Sequence, residues 1–264
     1  MFAKTTLGLC LALACVSIQA APLSFETKTI KAESCFLDKD KEKRCHENTV
    51  AYPITGDKYF DAWVKKSFNG KLPTQKSVKE ELPDGEVQLV DDKGEVYDDL
   101  YIMDKVDTLE LEGFSPNYAV FGHEYWTHNY GAAHGNGSHT LLVLPRNTTT
   151  PKELKLKDIV LPNQINKLIH LQREAIIKFF QEKHKMNEKE AREYFNEWNE
   201  NKFQGTDNWR IGKNSIVFLF QTYEVAAYSY GRPEVAIPVK DLQGIIKPEI
   251  LQETEQYTPR PEKP

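Results

Sequence analysis

Cysteine is scarce in this chain, with four in 264 residues at positions 10, 15, 35 and 45. No second Cys pair follows Cys35 and Cys45, which argues against a zinc site built on thiolates. Charge of one sign is lacking too. Lys and Arg number 34 against 39 Asp and Glu, a net charge of −5. That mild acidity argues against a nucleic-acid ligand and permits a basic protein partner without demanding one. Long apolar runs are missing after residue 18, so no transmembrane anchor is expected. What is present is enough to build a core: 40% hydrophobic residues and 11% aromatics, in a length that allows one large domain or two small ones.

The first twenty residues read as an export signal. Lys4 supplies the positive start, "LGLCLALACVSI" is an apolar stretch of twelve, and Ile18-Gln19-Ala20 suits cleavage after Ala20. The rival is a lipoprotein signal ending at Cys15, but Ala12-Leu13-Ala14 is a poor match to a lipobox, and simple cleavage is favoured. A periplasmic or secreted location follows. In that oxidising compartment Cys35 and Cys45 are expected to form one disulfide around the charged stretch "CFLDKDKEKRC", free thiols being the alternative.

Strands are expected in "LSFETKTIKA" and "NTVAYPI". A helix follows, with Asp57 as N-cap, apolar positions at Tyr59, Phe60, Trp63, Val64 and Phe68, and Gly70 at its end. Residues 71 to 95 read as a polar connection. Two further strands lie in "DTLELEGFSPNYAVFGHEYWTHNY" and a third in "HTLLVLPR". Beyond Pro162 the period becomes helical: Ile165, Leu168, Ile169, Ile176, Phe179 and Phe180 share one face as far as about Lys185. Asn187 and Glu190 form a capping-box pattern for a second helix carrying Ala191, Tyr194, Phe195 and Trp198. The sheet is expected to resume at "SIVFLFQTYEVAAY" and end at "PEVAIPV". This order predicts an α+β fold: an antiparallel sheet with helices on one face, and a small α+β subdomain at the N-terminus. The expected divisions are a signal at 1–20, that subdomain at 21–100, a larger domain at 101–250 and a disordered tail at 251–264.

"HNYGAAHGNGSH" at residues 128 to 139 is the most biased stretch. His123, His128, His134 and His139 fall within seventeen residues. The spacing is poor for a metal, because residues five apart on a strand point to opposite faces and "HEYWTH" is one residue too long for a helical H-E-x-x-H pair. Ser138 beside His139 lacks the G-x-S-x-G elbow, and neighbours on a strand face apart. A turn built on Gly131, Gly135, Gly137 and Asn136, which tolerate positive φ, is the simpler reading. No metal or cofactor is expected. Glu80-Glu81 and Asp91-Asp92 read as solvated surface, and Tyr125, Trp126 and Tyr130 as a half-buried strand rather than a binding platform. Tyr228 and Tyr230 in "AAYSYGRP" are different. Tyrosines on a loop with Gly231 and Pro233 offer large contact area at low entropic cost.

"YGAAHGNGSHTLLVLPRNTTTPKELKLKDIV" and, after two helices, "FLFQTYEVAAYSYGRPEVAIPVKDL" together resemble the C-terminal extracytoplasmic domain shared by the RsiV anti-sigma factor and the PdaC peptidoglycan deacetylase. The likeness covers about residues 118 to 246, and the N-terminal part is more loosely similar to the smaller domain that precedes it in that family. Tyr130, Gly131, Ala133, His134, Gly135 and Asn136 stand on the family's Y-x-G-G-A-H-G-N loop. Ala226, Tyr228 and Gly231 stand on its closing segment, F-x-x-Y-E-(V/I)-A-P-Y-x-x-G. Ala132, Ala227 and Val239 depart from the family's glycine, proline and tyrosine. The RsiV branch binds lysozyme, and PdaC carries its deacetylase in a separate domain. The resemblance therefore implies a sensing or binding module alone.

The expected function is an exported protein that binds a protein or glycan of the cell envelope, a lysozyme-like muramidase among the candidates. Tyr228, Tyr230 and Gly231 would form the contact, shaped by His134 and Asn136. The alternative is a glycan-acting hydrolase, with His134 as acid/base and Glu124 nearby.

Overall fold

The computed structural model describes residues 21–37, 40–85, 103–129, 133–200 and 202–261. The expected signal at 1–20 and the loop positions Tyr130, Gly131 and Ala132 lie outside these described residues.

Strands β1 (Glu26–Leu37) and β2 (Lys43–Ile54) form an antiparallel hairpin. Cys35 and Cys45 face each other in its register and are joined by the expected disulfide. Helix α1 (Lys58–Ser67) starts at Asp57, whose carboxylate accepts the backbone N–H groups of Tyr59 and Phe60, as its cap position requires. Helix α2 (Gln75–Glu80) follows. The chain returns as β3 (Met103–Phe114), parallel to β2, and then runs through β4 (Tyr118–Asn129) and β5 (Asn136–Pro145) as an antiparallel meander. The large sheet has the order β1-β2-β3-β4-β5. The boundary expected at residue 100 thus falls inside one sheet, because β2 pairs with β3 across it.

Alternation of side chains gives this sheet two apolar faces. Ile30, Val50, Tyr52, Leu109, Leu111, Phe121 and Leu144 pack beneath Phe60 and Val64 of α1 and Val78 of α2. Val120 and Val143 point the other way, into the larger core. That core is built from α3 (Leu156–Ile159), α4 (Ile165–His184), α5 (Glu188–Asn199), β6 (Trp209–Gly212), β7 (Ser215–Leu219), β8 (Glu234–Pro238), α6 (Val239–Leu242) and α7 (Pro248–Glu255). The capping box expected at Asn187 and Glu190 opens α5. The α+β class is the one expected. No helix among the described residues is long and apolar enough to cross a membrane.

Two expectations are corrected. The segments "SIVFLFQ" and "PEVAIPV" do not extend the large sheet but form a second, three-stranded sheet, β6-β7-β8. The outer edge of β5 is already occupied by side chains. Asn208 accepts from Leu141 N–H and donates to His139 C=O, and Gln221 bonds both the N–H and the C=O of His139. These amides satisfy the edge that another strand would have paired.

The tail expected to be disordered from 251 is ordered through Arg260. Ile250, Leu251 and Thr254 of α7 are buried, Tyr257 is 3% exposed, and β9 (Thr258–Pro259) pairs with β3. Pro259 is tolerated because it sits on a short edge strand. Tyr257 was the overlooked core residue. Its hydroxyl occupies the space that a Cβ on Gly113 would need.

Candidate functional site

The β4–β5 hairpin ends on Gly135 and Gly137, and neither has the positive φ that their residue type suggested. They are needed for space. A Cβ on Gly135 would lie 2.2 Å from the Trp126 indole, and one on Gly137 would lie 2.2 Å from the Tyr125 carbonyl oxygen. The backbone pressed onto Trp126 presents His134. The imidazole Nδ1 is 3.0 Å from the Gly135 carbonyl, which can only accept, so Nδ1 carries the proton. Nε2 lies 2.8 Å from the Tyr223 hydroxyl, within hydrogen-bond distance. One face of the ring stacks on Tyr228, with centroids 3.7 Å apart and planes 14° from parallel.

The second loop of this cluster is sewn to β5. Gln221, whose amide holds the His139 backbone, closes a turn in which its own N–H donates to Glu224 Oε2 at 2.6 Å. Within that turn Tyr223 adopts φ +67°, a conformation rare for a bulky side chain. Strained backbone of this kind persists only where the surroundings over-determine it. Here it holds the ring outward. Tyr223 is 49% exposed and Tyr228 37% exposed.

Residues Tyr228–Tyr230 form a 3-10 turn closed by Gly231, at φ +71° and ψ −146°, a region left to glycine. The turn separates its two tyrosines. Tyr228 joins His134, whereas Tyr230 is half-buried between α4 and α5, with its ring 5.5 Å from Phe180, 4.6 Å from His184 and 5.0 Å from Tyr194. Asn136 is exposed at the start of β5, opposite Thr127. Of the five expected contact positions, the structure brings His134 and Tyr228 together, uses Gly231 to turn the chain and gives Tyr230 to packing. Tyr223 is the residue that sequence reasoning missed. It stands on the tyrosine of the closing motif F-x-x-Y-E, so the signal lay in the motif.

Beside the cluster, on the same face of the large sheet as Trp126, runs a row of charged groups. Arg232 pairs with Glu124, Arg260 with Glu110, and Arg210 with Glu234 at 2.6 Å. Among the described residues, Glu112 and His139 have no such partner of their own. Both cover Gly122, where a Cβ would lie 2.6 Å from His139 Nε2 and 2.7 Å from Glu112 Oε1. His139 Nε2 is buried with no hydrogen-bond partner among the described residues. Burial pushes the His139 pKa below its ordinary value, Glu124 opposing and Arg232 adding to the effect. Burial likewise pushes the Glu112 carboxyl upward. Both groups are thus driven toward their neutral forms.

The four clustered histidines go to different partners. His123 pairs with Asp107 at 2.8 Å on the opposite face, His128 lies 3.9 Å from Asp104, His134 holds Tyr223, and His139 lies over Gly122. Among the described residues, the group with metal-ligating spacing is Glu33, Cys35 and Cys45, whose sulfurs are already bonded to each other.

Residues 157–240, from α3 through β8, match the family described as "Protein of unknown function (DUF3298)". Two solved structures from that family share the fold. One, from Pseudomonas aeruginosa PAO1, is 16% identical over 86% of this chain and 96% of its own, with a TM-score of 0.58. Another, from Bacteroides fragilis NCTC 9343, is 20% identical over 88% of this chain and 97% of its own, with a TM-score of 0.63. No curated protein matches the chain.

Proposed function

We propose that the chain is an extracytoplasmic binding protein whose contact surface is the Tyr223–His134–Tyr228 cluster, and that its partner is a protein or glycan of the cell envelope, a lysozyme-like muramidase being one. The carrying observation is that two exposed tyrosines from one loop are locked to a histidine from another. Rigid aromatic rings on a fixed scaffold bury large area on binding at little entropic cost. The disulfide and the short apolar leader support export. The RsiV-like reading of the motifs "YGAAHGNG" and "YEVAAYSYG" supports a sensing or binding module.

The hydrolase alternative is weaker at His134 and Glu124. His134 has both ring nitrogens engaged, and Glu124 is paired to Arg232 rather than to His134. Capture from envelope fractions and against purified muramidases tests the reading. Saturable binding that falls at least about ten-fold in Tyr228→Ala and in Tyr223→Ala is expected, as for contact residues at the centre of an interface. Turnover of muropeptides that is abolished by His134→Gln, with no stable complex, would overturn it.

A further inference from the structure

A cavity of about 500 Å³ lies away from this surface, where residues 21–22 meet the β3–β4 turn and the chain beyond α7. Arg146, only 8% exposed, projects into it from the end of β5. Its guanidinium stacks over Phe114, with Cζ 5.2 Å from the ring centroid, and donates to the carbonyls of Ser115 and Ala21. Neither of those acceptors is charged. A guanidinium has five N–H donors in a planar fork suited to a carboxylate, and these bonds use only part of the fork.

A buried arginine is ordinarily found with an acid. Among the described residues, Arg146 has no carboxylate within ion-pair distance. The two acids that act on it from further away, Asp57 and Glu253, are engaged elsewhere. Asp57 caps α1, and Glu253 accepts the backbone N–H of Asn117 at 3.0 Å and its side-chain amide at 2.6 Å. The rest of the cavity is of two kinds: apolar surface from Pro22, Phe114 and Pro116, and polar groups from Ser115, Gln256 and Thr258.

We infer that this cavity is a binding site for a small organic carboxylate, whose acid group takes the free edge of Arg146 while its apolar body lies against Phe114 and Pro116. A free acid and the C-terminal residue of a peptide share that chemistry. Benzoate and N-acetylphenylalanine serve as probes for the two, with benzamide and N-acetylphenylalaninamide as neutral counterparts. Binding to the purified protein is followed by amide chemical shifts at Phe114, Ser115, Asn117 and Gln256 to Thr258.

Saturable shifts confined to these residues are expected, with at least one acid binding about ten-fold or more tightly than its amide. Which acid binds identifies the source. Arg146→Lys keeps the charge but loses the fork and should weaken binding. Because that change touches a buried group, Gln256→Glu is the second variant. It puts a carboxylate into the same cavity from an exposed position, and should abolish binding without lowering the melting temperature. Equal affinity for acid and amide, unchanged affinity in Gln256→Glu, or no shifts at millimolar probe would each overturn the proposal.

Discussion

Gly135 and Gly231 sit on either side of the aromatic cluster and are required for different reasons, so alanine tests them differently. At Gly231 the space is open and the obstacle is backbone conformation. At Gly135 the backbone is ordinary and the obstacle is the Trp126 ring. Overpacking of this kind costs about 1–3 kcal/mol. Gly135→Ala is therefore expected to lower stability by that amount and to separate His134 from Tyr228. Loss of the ring-current shift on the His134 imidazole protons checks the second effect. His139 gives a pH prediction. Its folded pKa lies below the ordinary value near 6.5, so the unfolded chain takes up a proton first as pH falls. The stability that rests on neutral His139 is complete above that value and is lost as pH drops from there toward the folded pKa. Urea midpoints across about pH 5 to 8 should decline on the acid side, and less steeply in His139→Gln. An equal decline in both proteins would assign the slope to other groups.

At the level of elements, the two sheets are joined by a side chain. The Asn208 amide contacts Leu141 N–H, His139 C=O and Leu219 C=O, so one residue links β5 to the end of β7. Asn208→Ala would take the partner from the Leu141 N–H and the Leu219 C=O, at about 1 kcal/mol or more each, while His139 C=O keeps its bond from Gln221. A loss of about 2–4 kcal/mol is expected, with faster hydrogen exchange at the Leu141 amide while the α4 amides stay protected. The elements themselves were legible because their signals are local: the helical period of α4, the caps at Asp57 and Asn187, and the alternation along β4 and β5. The partition into two sheets was not, since it depends on polar residues 67 to 82 positions away from the strand they cap. The site was half legible for the same reason. Tyr228 and His134 stand in recognisable motifs, whereas the selection of Tyr223 over Tyr230 follows from how a 3-10 turn aims successive rings against α4 and α5. Gly135 drew notice for flexibility, yet its role is a close approach to Trp126 that only the folded hairpin reveals.

For the whole molecule, the central fact is that two cores share one sheet. Ala119 and Phe121 face the core under α1, while Val120 between them faces the core under α4 and the small sheet. A strand cannot keep one face while losing the other, because the same backbone ladder positions both. The C-terminal segment strengthens the link. Arg260 bonds Glu110 on β3 through its side chain, Glu112 through its backbone N–H and Thr27 on β1 through its other amino group. The last residues described thus tie back to the first strand. The molecule should therefore unfold as one cooperative unit despite its two clusters. Phe60→Ala removes a fully buried ring from one cluster and Phe180→Ala a fully buried ring from the other, each at a cost of about 3–5 kcal/mol. Calorimetry should show a single transition in each variant, shifted to lower temperature, with calorimetric and van't Hoff enthalpies equal. If the cores were independent, each substitution would move only one of two resolved transitions, and the shared-sheet account of stability would fail.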